Sequence, residues 1–430
     1  MRHSNIRRIL AADAHMRLFV LFVVAFVDMV GLTMIMPLLP FYTRELGGSM
    51  TTVGVLIAVF SLAQLIAAPV WGKFSDRVGR RPAILAGLLV TAVAYLLFAF
   101  AGSLWLLLLS RIVQGAGGGT IGVVQAYVAD ASAVSRRTKS LGWLSAVTSL
   151  GAVAGPAFGS LLIGIGGRSA PGLAAAGLAV LVAGFAWRFL SESRLFTTTG
   201  GAYPHQSGAE AVVHVVTRWR EPASRLVLIY AIAIGAFYGT GQTAPLLLAQ
   251  RFGTTERTVG YFIMYLGGMG VLVRSLLLGP IVDRLGEARL SRLGIVLLGA
   301  GLAATGLAHG YPLLGVGFTL MPLGTAFLFP CVTGLLSRVV AAPQRGLYMG
   351  VQHTFGGVSR VVFPLAAGAA MDRFGVGVPF WVAGLLVLLT LPLTEAMASY
   401  LEAEPAGATP EREIASADIT AEMPVAQPPG

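Results

Sequence analysis

Apolar and polar positions along this chain alternate on the scale of whole helices. About twelve continuous apolar stretches lie near 18–40, 52–72, 83–102, 104–127, 141–164, 171–191, 226–248, 258–280, 291–308, 312–336, 347–369 and 377–398. Each approaches the roughly 20 residues that a helix needs to cross a bilayer. Backbone amides in lipid must be satisfied within their own segment, which predicts helices, and the continuous runs lack the alternation of a barrel strand. One long polar break, 193–222, carries Gly200, Gly201, Pro204 and Pro222 and divides the chain in two. The expected organisation is an N-terminal segment 1–17, a six-helix bundle 18–192, a linker 193–222, a second six-helix bundle 223–400 and a disordered tail 401–430. The fold class is therefore an all-α integral membrane protein with twelve transmembrane helices in two pseudo-symmetric six-helix bundles.

The two halves repeat each other. GKFSDRVGRR at 72–81 returns as GPIVDRLGE at 279–287, each after the second long apolar run of its half. The shared Gly-x-x-x-Asp-Arg-x-Gly places Gly72, Asp76, Arg77 and Gly79 against Gly279, Asp283, Arg284 and Gly286. Internal duplication in a membrane protein puts binding sites where the repeats meet, as transporters do.

Of 430 residues, 56% are hydrophobic and only 11% charged, which excludes a soluble enzyme. The net charge of +11 is a topology signal, not a nucleic-acid footprint. Only Arg44, Arg168, Arg251, Arg257 and Arg373 fall on one side of the predicted spans, and most other Lys and Arg fall on the side of the termini. This bias places both termini in the cytoplasm. The first run is too long and too polar for a cleaved signal peptide. Cys331 is the only cysteine, so no intramolecular disulfide can form. No nucleotide loop, metal-ligand cluster or catalytic constellation is present, so neither cofactor, metal nor enzymatic activity is expected.

Charged residues inside apolar spans are the candidates for function, because they are costly there. Asp28 lies about ten residues, or 15 Å, into the first span and is the one acid placed near the bilayer centre. Arg111 lies at a compatible depth in the fourth span and would tune Asp28 if the two paired. Gln64, Gln114 and Gln125 could line a cavity or bond neighbouring helices. Arg274, His353 and Arg360 could give the second half a positively lined cavity suited to anionic or zwitterionic substrates, or could bond backbone near helix ends. Phe237, Tyr238 and Gln242 are further cavity candidates. In the loop, Gly72 would allow close packing, and Asp76 could cap helix ends of the other half. Arg77, Arg80 and Arg81 would stay at the anionic lipid surface, making a latch that favours the outward-open state. Gly151, Gly155 and Gly159 recur every fourth residue and make a bare helix face, with Pro156 permitting a bend.

The loop at 72–81 resembles the signature loop of the major facilitator superfamily. Arg111, Gln114, Gly115 and Gly117 match the family's pattern in helix four, and Gly151, Gly155, Pro156 and Gly159 match the motif of its antiporter branch. Helix one, with Asp28, Gly31, Pro37 and Pro40, looks like that of the twelve-helix proton-driven drug exporters, and the segment from Asp28 to Leu85, together with 140–159, looks most like the tetracycline/proton antiporters. It departs from them where Ala94 precedes Tyr95 without an added carboxylate, and where helix eight offers Arg274 in place of histidine. The resemblance implies the major facilitator fold, proton coupling through Asp28 and Arg111, and a helix-five packing that prevents ion leak. The expected function is a proton-coupled exporter of small amphipathic molecules, acting as a monomer in the bacterial inner membrane. Its partners would be the lipid bilayer and a small-molecule substrate, with no nucleic acid. A sugar or metabolite importer or uniporter of the same fold is the alternative, and a membrane sensor that does not transport is the more distant one.

Overall fold

Helix ends fall where glycine, proline or a hydroxyl interrupts an apolar run. The computed structural model describes residues 2–132, 136–192, 208–341 and 344–395, so the predicted tail 401–430 and the linker's first part, 193–207, lie outside the described residues. The first half comprises α1 (Arg2–Ile35), α2 (Leu39–Glu45), α3 (Met50–Val78), α4 (Arg80–Ala99), α5 (Leu104–Gly118), α6 (Ile121–Ala131), α7 (Arg137–Gly166) and α8 (Ala170–Phe189). After α9 (Gly208–Thr217), the second half comprises α10 (Pro222–Phe252), α11 (Val259–Leu276), α12 (Leu278–Leu307), α13 (Tyr311–Val339), α14 (Arg345–Phe374), α15 (Val378–Leu388) and a 3₁₀ turn, Leu391–Thr394. Eleven helices among the described residues are long and apolar enough to span a bilayer, with α5 and α6 counted as one span and α1 joined to α2. The twelfth is shorter, because α15 stops at Leu388 and Pro392 permits only the tighter turn.

Three boundaries differ from the sequence reading. Helix α1 runs back to Arg2 through the segment predicted as a separate terminus. The fourth span breaks at Gly119 and Thr120 into α5 and α6. Part of the predicted linker forms α9, whose Ala211 and Val215 are buried.

The repeated loop has the same backbone in both halves. Gly79 (φ 111, ψ 159) ends α3, and Gly286 (φ 75, ψ 159) kinks α12 at the matching position. Positive φ at both explains why each copy keeps glycine there. Ser49 opens α3 with a capping box, its hydroxyl accepting from the Thr52 amide at 3.1 Å.

Helix pairing between the halves is reciprocal. Span two (α3) packs on span eleven (α14), and span eight (α11) packs on span five (α7). Exchanging the halves maps one pair onto the other, as a pseudo-twofold axis along the membrane normal requires. Exposed large apolar side chains, among them Phe19, Ile66, Leu150, Leu181 and Leu272, cover the outside as a lipid-facing surface.

Candidate functional site

The halves meet at one end and part at the other. The start of α1, α9 and the two Asp-Arg loops lie at one end of the bundle, here the terminal end, and the α2–α3, α10–α11 and α14–α15 connections lie at the distal end. Among the described residues, every hydrogen bond between the halves is distal. The Asp372 carboxylate of α14 accepts from the Met50 amide (3.1 Å), the Thr51 amide (2.7 Å) and the Thr51 hydroxyl (2.6 Å) at the start of α3. A carboxylate there also meets the positive end of the helix dipole. On the other pair, the Ser160 hydroxyl donates to the Glu256 carbonyl (2.7 Å) and accepts from the Gly260 amide (2.9 Å). We expect Asp372→Ala to weaken this distal seal by about 1 kcal/mol, the usual worth of a lost helix cap. The check is the distance between spin labels on exposed Ile165 and Thr255, whose open fraction should rise severalfold.

At the terminal end the ion pairs seen among the described residues lie inside each half. Asp76 pairs with Arg80 (3.1 Å), and Arg80 also reaches Asp130 (3.3 Å). Glu192 accepts from the backbone amides of Arg80 (3.0 Å) and Arg81 (3.1 Å), and the Arg81 side chain donates to the Trp187 carbonyl. Arg77, Asp283 and Arg284 are exposed. Among the described residues, Asp76 is thus tied to Arg80 of its own half. The close packing expected of Gly72 is not seen, since a methyl group there or at Gly279 would meet open space.

Between the halves lie two adjoining cavities. The one nearer the terminal end, about 510 Å³, is lined by Ser61, Gln64, Gly118, His353, Thr354 and Arg360 among others. The deeper one, about 370 Å³, is lined by Met29, Phe60, Gln64, Tyr238, Gln242 and Arg360 among others. Gln64, Ile121 and Arg360 belong to both. A third cavity of about 600 Å³ lies within the first half and holds Asp28 and Gln125. It shares Ile121 with both of the others and Met29 with the deeper one. Asp28 thus sits behind a one-residue wall from the space between the halves. It makes no ion pair and no hydrogen bond among the described residues.

Arg111 does not pair with Asp28. Its side chain is fully buried, its guanidinium lies over the Phe98 ring at 5.2 Å, and neither Nη atom finds a partner. The Tyr95 hydroxyl and both amide atoms of Gln114 are likewise buried and unbonded. Tyr95 stands within electrostatic reach of both Asp28 and Arg111, with Gln114 beside it. Gly31, one turn beyond Asp28, makes room for it, because a Cβ there would stand 3.0 Å from the Tyr95 hydroxyl oxygen. Tyr95 is the link that the sequence reading missed. Its only signal was a phenol in the middle of an apolar span.

The remaining candidates divide by azimuth. Tyr238, Gln242, Gln64, His353 and Arg360 face the inter-half cavities. Phe237 packs against the apolar core, and Gln114 is buried within the first bundle. Arg274, in the last turn of α11, is exposed beside Leu272 and Leu276, where it complements the helix dipole and can extend to the lipid headgroups.

The glycine stripe of α7 seats α1. A Cβ at Gly151 would stand 2.7 Å from the Phe26 carbonyl oxygen, and Cβ atoms at Gly155 and Gly159 would collide with Thr33 and the Met34 carbonyl. Pro156 faces away towards Gly260 of α11, whose added Cβ would overlap its carbonyl oxygen. Helix α7 therefore joins the helix that bears Asp28 to the opposite half.

A duplicated helical bundle with cavities at the seam between its halves, a carboxylate within a membrane span and one half sealed against the other at a single end is built as a transporter. The comparisons agree: the Major Facilitator Superfamily profile matches residues 21–287 and 226–423, and the chain belongs to that family. It is 32% identical to tetracycline resistance protein, class C, of Escherichia coli, covering 85% of this chain and 93% of that one. It is 29% identical to multidrug resistance protein 2 of Bacillus subtilis (strain 168), covering 86% and 92%. The crystal structure of the human organic anion transporter MFSD10 superposes with a TM-score of 0.65 at 24% identity, covering 89% of this chain and 99% of that one. The chain is thus a multi-pass membrane transporter of the major facilitator fold.

Proposed function

We propose that this chain is a proton-coupled exporter that carries small amphipathic molecules out of a bacterial cytoplasm across the inner membrane by alternating access, as a single chain. The observation that carries the reading is Asp28: a carboxylate inside a membrane span, without a bonded partner among the described residues, one wall from the cavity between the halves. Such a group can take a proton and release it as access changes. The charge bias assigns the terminal end to the cytoplasm, so the described state is open inward and sealed outward. Arg111 acts on Asp28 through Tyr95, and the α7 seat transmits a shift of α1 to the seam. Coupling requires only that proton and substrate bias the same two-state equilibrium differently. The resistance proteins of Escherichia coli and Bacillus subtilis to which the chain is similar point the same way.

The test uses everted membrane vesicles with an acid interior and a pH-sensitive dye. An amphipathic substrate should dequench the dye as protons leave in exchange for it. Substrate entry with no proton movement would favour a uniporter and sink the exporter reading.

A further inference from the structure

We infer that the inter-half cavity binds an organic anion: an oxyanion, carboxylate or sulfonate, carried on an apolar ring system, with Arg360 as its anchor. Arg360 belongs to both cavities at the seam, and neither has an Asp or Glu in its lining. Its one hydrogen bond among the described residues runs from Nε to the Gly356 carbonyl at 3.3 Å, one turn back on α14. It makes no ion pair among the described residues, and its guanidinium rests 5.8 Å above the Tyr238 ring. The two Nη groups are left to the cavity, in the planar fork that matches a carboxylate or sulfonate. An arginine in this low-dielectric space without a counter-charge attracts an anion far more strongly than one in water would.

The surroundings shape the rest of the ligand. His353, two turns back on the same face of α14, lines the same cavity as Arg360 and can add a ring N–H donor. The Gln64 and Gln242 amides can donate beside it. Met29, Leu32, Phe60, Ile121 and Ile263 form the apolar remainder, suited to a flat ring body. Asp28 is kept in the neighbouring cavity, so the proton site and the anion site are separate but share the Met29 and Ile121 wall. Exchanging an anion outward for a proton inward moves two charges in the same sense, which makes export strongly dependent on membrane potential.

The assignment takes only the direction of transport from the exporter reading; binding stands without it. The test measures anisotropy of two xanthene dyes of opposite charge, fluorescein and rhodamine 6G, with the purified full chain in uncharged detergent. Fluorescein should bind the wild type, and Arg360→Ala should weaken it about 10–100-fold, the worth of charge-assisted hydrogen bonds. Arg360→Lys should retain part of the affinity, and rhodamine 6G should be indifferent to both changes. On the wild type alone, 2-naphthoate should displace fluorescein and neutral 2-naphthol should not, which keeps the test independent of how the variants fold. Failure of fluorescein to bind, equal affinity in a folded Arg360→Ala protein, or displacement by 2-naphthol as effective as by 2-naphthoate overturns the proposal. Proton release is read in parallel. Fluorescein binding without proton release retains the anion site and removes the coupling. Proton release driven by rhodamine 6G alone removes the anion site and retains the coupling.

Discussion

Asp28→Asn is expected to abolish proton-driven export while leaving the protein folded in the membrane. One proton moving down 100 mV supplies about 2.3 kcal/mol, enough for a roughly 50-fold gradient of a neutral substrate. With Asn in place of the carboxylate, protonation no longer distinguishes the two states, and a ligand without differential affinity shifts nothing. The gradient in energised vesicles should therefore collapse to none, while exchange of labelled for unlabelled substrate down its own gradient persists. Folding should not suffer. An ionised Asp near the middle of a span costs roughly 2.5–3.5 kcal/mol on insertion scales, so its neutral analogue relieves a cost. Asp28 also has no ion pair or hydrogen bond among the described residues whose loss would unfold the bundle. A melting curve at or above that of the wild type, with the gradient lost, is the combined result expected. A maintained gradient in the Asn variant would place the coupling proton elsewhere, and the cluster of Arg111, Tyr95 and Gln114, with its unbonded Nη, hydroxyl and amide atoms, is where the search would turn.

How much of this was legible before the fold was known depends on whether the signal was linear or angular. Spans are linear: a run of about 20 apolar residues reads as a crossing helix whatever surrounds it. Glycines with an obligatory backbone are linear too. Gly79 and Gly286 repeat because the turn after Asp-Arg requires positive φ in both halves. The stripe Gly151, Gly155 and Gly159 announced a close helix contact by its spacing alone, though not that α1 was the partner. Azimuth was not legible. Phe237 and Tyr238 are neighbours in sequence, yet about 100° of helix rotation sends one into the core and the other to the cavity. Arg274 and Arg360 read alike as charges in apolar runs, but the first faces outward at a helix end and the second faces the seam. Long-range seals were hidden for a related reason. Asp372 and Thr51 are more than three hundred residues apart, and neither breaks a local pattern. The span break at Gly119 and Thr120 lay inside an apolar run with enough hydropathy to mask it.

The second large effect separates glycines that hold a half together from one that holds the halves to each other. Gly155 and Gly260 are both places where an added Cβ has no room, against Thr33 and the Val30 carbonyl of α1 in the first case, and against Pro156 of α7 in the second. Small residues at such crossings let backbones approach closely, and a larger side chain must force the helices apart. The α1–α7 contact lies inside one bundle, so Gly155→Val has no alternative packing to adopt. We expect it to cost about 1–3 kcal/mol or more of fold stability, seen as a lowered melting temperature and poor recovery from the membrane. The α7–α11 contact joins the halves, and a protein that alternates access must break it in every cycle. Gly260→Val should therefore leave melting nearly unchanged and move the equilibrium away from the distally sealed state. At 1.4 kcal/mol per tenfold, the same clash depopulates that state by about 5–150-fold. Spin labels on Ile165 and Thr255 would report it as a longer distance across the distal end, and substrate would reach the cavity from that side. Equal loss of melting temperature in both variants would mean that the seam is as permanent as the bundle core, and the halves would then not rock about it.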